Sequence, residues 1–71
     1  MANENRKKAI VNQINRLKEQ IITKEATISR IKGKPSGGNN NSDRNSIETL
    51  KKQIMNLKTQ IARLKSELDK L

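Results

Sequence analysis

Lysines recur along this chain at whole-heptad spacings: Lys18 and Lys32, then Lys51, Lys58 and Lys65. On a helix such spacing sets side chains in one row. A row of ammonium groups can track phosphates without reading bases, giving nonspecific binding that weakens steeply with salt. The plainer use of the same residues is to lay methylene stems over an apolar seam and keep a helical surface hydrated. Net charge is +9, from 16 basic and 7 acidic residues. That balance suits an anionic partner: nucleic acid, an anionic membrane surface or an acidic protein. Phe, Tyr and Trp are absent. Base stacking, the main route to single-stranded nucleic acid, is therefore unavailable, as are aromatic interface anchors.

Other chemistry finds little support. There is no His and no Cys, so a nucleophile–base pair would need Ser or Thr with a desolvated Lys. No disulfide framework or thiolate metal site can form either. Seven carboxylates are scattered as Glu4, Glu19, Glu25, Asp43, Glu48, Glu67 and Asp69, with no pair three or four apart. No helix face thus offers an acid/base couple or a metal-binding pair. Gly33-Lys34 ends like a phosphate-binding loop, but Pro35 stands where Ser or Thr is needed and the earlier glycine is missing. Asn40-Asn41-Ser42 has the form of a glycosylation sequon, which chance explains. The chain reads as no enzyme, with no cofactor.

What must position the lysines is clearest in the second half. Ile47, Leu50, Ile54, Leu57, Ile61, Leu64, Leu68 and Leu71 follow one another at steps of three and four. In heptad terms Ile or Leu fills a and Leu fills d. Burying such a stripe against a partner helix drives a left-handed coiled coil. The first half repeats the pattern less strictly, through Ile10, Ile14, Leu17, Ile21, Ile28 and Ile31, with Lys24 as the one polar interruption. Lys24 reads as a side chain with its stem on the seam and its head in water; the sharper reading is a selector of register or partner. The stripe fades upstream through Lys7 and Asn3, so a frayed N-terminus is expected.

The chain divides into a basic helix over 1–32, a flexible Gly/Asn/Ser loop over 33–45, and a helix over 46–71. Lys32-Gly33 with Pro35 beyond forms a stop signal, Gly33 standing at the C′ position. Asn45 with Glu48 three residues on forms a start. Loop reach decides the topology. A helix over 4–32 is roughly 43 Å long at 1.5 Å per residue. A loop over 33–45 spans about 43–47 Å only when fully extended, and about 20 Å on average if flexible. A parallel return would hold it taut, whereas an antiparallel neighbour lies about 8–10 Å away. The expected architecture is an all-α, antiparallel two-helix coiled-coil hairpin. In it Ile31 faces Ile47, Lys24 faces Ile54 and Ile10 faces Leu68. Beside the seam, Glu25 meets Lys51, Gln13 meets Glu67 and Thr27 meets Gln53.

One two-stranded hairpin leaves its seam half open, thin cover for the entropy of ordering the chain. Val11, Ile22, Met55 and Ala62 lie off the seam, all on the side of the lysines, and form a second contact strip. Self-association into a dimeric four-helix bundle is therefore expected. The longest apolar run, Ala9 to Val11, rules out a membrane span. With no targeting signal, the default location is cytoplasmic. The function expected from these signals is a non-catalytic coiled-coil interaction or adaptor protein that presents helix faces to a protein partner. The alternative is a basic hairpin binding nucleic acid nonspecifically through the lysine strip.

Overall fold

The computed structural model describes residues 2–35, 37 and 39–71. It contains two helices, α1 (Ala2–Lys32) and α2 (Asn41–Asp69), and no strand among those residues. The helices fold back on each other as a hairpin measuring 54 × 15 × 12 Å. Two cross-helix contacts and one from the loop fix the direction of α2. Near the termini Arg6 Nη2 donates to Glu67 Oε1 at 2.6 Å. At mid-rod Lys24 Nζ donates to Gln53 Oε1 at 2.8 Å. Beside the loop Lys34 Nζ lies 3.5 Å from Asp43 Oδ1. Residue numbers rise along one helix as they fall along the other, which is the antiparallel order that loop reach requires.

The core is the apolar stripe of the sequence. Ile10, Ile14, Ile21, Ile28, Ile54, Leu57 and Ile61 are buried. Leu17, Ile47, Leu50, Leu64, Leu68 and Leu71 are partly buried and pack against them, and Ile31 is half-buried. Among the described residues, no large side chain is buried completely. Two helices side by side have no third element to close over the seam, so each core side chain keeps a wet edge.

The loop is shorter than the sequence suggests, and α2 starts earlier than residue 46. It begins at Asn41, with Asn40 as N-cap in extended backbone, φ −77° and ψ 159°. The Asp43 backbone N–H donates to Asn40 Oδ1 at 2.7 Å. In return Asn40 Nδ2 donates to Asp43 Oδ2 at 3.0 Å. This reciprocal pair is a variant of the capping box in which the Asn40 side-chain amide, not its backbone N–H, makes the return bond. Asn40, the sequon asparagine, thus spends its amide on the cap. The Asp43 carboxylate also stands at the positive end of the helix dipole. Asn45 and Glu48, expected to form the cap, lie inside the helix instead. Glu48 reaches forward to Lys52 at 4.0 Å, an exposed pair of small worth.

At the end of α1, the Gly33 N–H still donates to Ser29 O at 3.0 Å. Gly33 does not take the left-handed backbone of a glycine cap; the positive φ, 61°, belongs to Gly37. Gly37 N–H donates to Lys34 O at 2.7 Å and closes the turn that contains Pro35. Glycine suits this position because a Cβ there strains against the backbone. Ser36 and Gly38, in the stretch expected to be mobile, lie outside the described residues. At the other end of the molecule α1 continues up to Ala2, beyond the expected fraying, and Arg6 takes the Glu67 contact expected of Gln13.

Candidate functional site

The two long faces of the hairpin have different chemistry, and the heptad explains why. Positions e and b lie on one side of the seam; g and c lie on the other. The e/b side carries the lysine strip. Lys18, Lys32, Lys51, Lys58 and Lys65 are all exposed, and none forms an ion pair among the described residues. Lys51 and Lys58 line one shallow groove of about 390 Å³ with Glu25, Ser29 and Met55, over a floor of Ile28 and Ile54. Glu25 and Lys51, expected to attract each other, share this groove without pairing. Apolar residues interrupt the cations: Val11 is 42% exposed, Ile22 64% and Met55 70%. Ala62 is exposed too. The structure brings Met55 between Lys51 and Lys58. Among the described residues, Lys18, Lys32 and Lys65 do not line that groove.

Lys24 behaves differently from the strip. It occupies a d position, half-buried, and its ammonium leaves the seam toward the g/c side to reach Gln53. The expected water-seeking head has found a partner on α2. Thr27, expected opposite Gln53, turns its hydroxyl back to Thr23 O at 3.0 Å. Such back-bonding satisfies a hydroxyl within its own helix and leaves the Gln53 amide oxygen to Lys24.

The g/c side holds a second groove, of about 380 Å³, that tracking lysines alone does not find. Arg16 from α1 and Arg63 from α2 stand on its walls, both at c positions. Gln13, Gln20 and Gln60 supply amides between them, and Leu17 and Leu64 form the floor. Neither arginine forms an ion pair among the described residues. The signal was present in the sequence: projecting c positions across the hairpin, as for the e lysines, sets Arg16 level with Arg63. A further count sharpens it. Glu67 is the one carboxylate at any g or c position, and Arg6 already holds it. Among the described residues no carboxylate lines the groove itself; the nearest along α1, Glu19, lines a neighbouring cavity with Arg16.

Among the described residues no three metal-ligating side chains gather, and no helix is long and apolar enough to cross a membrane. No family model, curated protein or solved structure matches this chain.

Proposed function

We propose that the protein is a non-catalytic coiled-coil interaction module that self-associates through its e/b face, most simply as a dimeric four-helix bundle, and presents its remaining helix faces to a protein partner. One observation carries this reading. The hairpin buries no large side chain completely among the described residues, yet it leaves Ile22 and Met55 mostly in water. A second hairpin laid on that face covers both strips of apolar surface at once, at about 25 cal/mol per Å² removed from water. Glu25, Glu48 and Asp69, also at e and b positions, supply counter-charges for the lysines of the second copy.

A second reading uses the same face. Lys51 and Lys58, without an ion pair among the described residues and on one groove, favour a nonspecific nucleic-acid contact. Salt separates the two readings by sign. Two chains of net charge +9 repel each other, and salt screens that repulsion; self-association through apolar contacts therefore strengthens as salt rises. Phosphate binding loses affinity as salt rises, because counterions are no longer released at a profit. Sedimentation equilibrium at low and high salt, beside anisotropy titrations with duplex and single-stranded nucleic acid, reads both. A monomer at high micromolar concentration in both salts would overturn self-association.

A further inference from the structure

We infer that the groove between Arg16 and Arg63 is a docking site for an acidic amphipathic helix of a partner protein, whose carboxylates meet the two guanidinium groups and whose apolar face rests on Leu17 and Leu64. This deepens the interaction-module reading and rests on it.

The occupant's charge follows from the wall. Arg16 and Arg63 face the groove without an ion pair among the described residues; Glu67, the single carboxylate at a g or c position, is taken by Arg6, and Glu19 lies outside the groove, in a neighbouring cavity. A second copy of this chain is poorly suited to the site. It carries 16 cations against 7 acids and would bring repulsion to a surface that is already cationic. The residue type also distinguishes this groove from the lysine face. Arginine presents a planar fork that pairs with carboxylates in two parallel bonds, and it is enriched at protein interfaces where Lys is depleted. The floor argues for a peptide over a bare anion. Leu17 and Leu64 are partly buried, and a phosphate or nucleic-acid backbone covers neither. Between the arginines, Gln13, Gln20 and Gln60 make no hydrogen bond within the chain among those observed. Their amides both donate and accept, which suits a polar rim. Lastly, the groove lies across the seam from Ile22 and Met55, so a hairpin dimer formed on the other face leaves it open.

The test is fluorescence anisotropy with a labelled synthetic helical peptide bearing Leu on one face and Glu flanking it. A control peptide carries Gln in place of every Glu. The full chain is compared with Arg16→Gln/Arg63→Gln and with Lys51→Gln/Lys58→Gln. The acidic peptide is expected to bind the full chain and the lysine variant alike. It should lose about tenfold or more in affinity on the arginine variant, since several charge-assisted bonds disappear. Equal loss on both variants overturns the site in favour of general electrostatics. Equal binding of the Gln peptide overturns the charge argument. Binding of pyrophosphate or duplex DNA at the arginines, with no peptide binding at low salt, overturns the helix as occupant. Sedimentation of the same samples keeps the two readings apart. Loss of peptide binding with intact self-association counts against this groove alone, whereas a monomeric full chain that still binds peptide counts against the dimer alone. Circular dichroism of each variant confirms that the hairpin is still folded.

Discussion

Single side chains decide how firmly the two helices hold their register. Lys24 interrupts an otherwise aliphatic stripe, and its bond to Gln53 Oε1 at 2.8 Å lies at the surface. Exposed polar contacts of this kind are worth tenths of a kcal/mol. Burying a leucine on the seam is worth more, up to about 1.5–3 kcal/mol when complete. Lys24→Leu is therefore expected to stabilise the hairpin by about 1 kcal/mol, since the site is only half-buried. Thermal unfolding followed by circular dichroism should show Tm rising by about 4–8 °C. A fall in Tm would mean that the Lys24–Gln53 contact holds the register and that leucine lets the helices slip. Arg16 and Arg63, without an ion pair among the described residues, belong to this scale too: replacing them should leave Tm nearly unchanged while weakening the proposed peptide contact about tenfold or more.

At the level of elements, the start of α2 shows how far the sequence can be read. Ile47 to Leu71 announce a helix because eight aliphatics in strict three-four steps have no other economical explanation. The start is harder, since two asparagines satisfy the same rule. Asn40 precedes Asp43 by three, and Asn45 precedes Glu48 by three. What separates them is tertiary: Lys34, returning through the turn closed at Gly37, comes within 3.5 Å of Asp43 and favours the earlier start. Asn40→Ala should cost about 1 kcal/mol in urea denaturation, the usual value of a lost N-cap. Asn45→Ala, now inside the helix, should change stability by less than about 0.5 kcal/mol. Equal costs would place the cap elsewhere. In the same assay Gly37→Ala should destabilise by roughly 1–2 kcal/mol because its φ is 61°. Gly33→Ala should cost less, with an added Cβ coming 3.4 Å from Ser29 O. The arginine groove is hard to read from sequence for a related reason. A lysine row is visible along one helix, whereas Arg16 and Arg63 become neighbours only once the hairpin is closed.

For the whole molecule, the two faces are proposed to take different partners. Ile22 and Met55, at 64% and 70% exposure, are the residues to change if one face joins copies. Ile22→Glu/Met55→Glu should weaken self-association by about tenfold or more, through lost apolar burial and a charge placed at the contact. Sedimentation equilibrium reads this directly, and unchanged association would show that the copies meet elsewhere. Helix content of the double variant should fall with dilution more steeply than that of the parent. Under the proposed self-association, a seam with no large side chain fully buried among the described residues would draw part of its stability from assembly, linking folding to association.

The hairpin's open end has a mechanical consequence. Arg6 and Glu67 clasp the rod where its two ends meet, while the Asn40 cap and the Lys34–Asp43 contact close the far end. Tension applied between the termini therefore pulls across the rod, not along it. The clasp gives way first, then the apolar rungs from Ile10 inward, one after another, as a zipper opens. Each step meets only the resistance of a single rung. Such a rod stands up to end-on compression far better than to having its ends drawn apart.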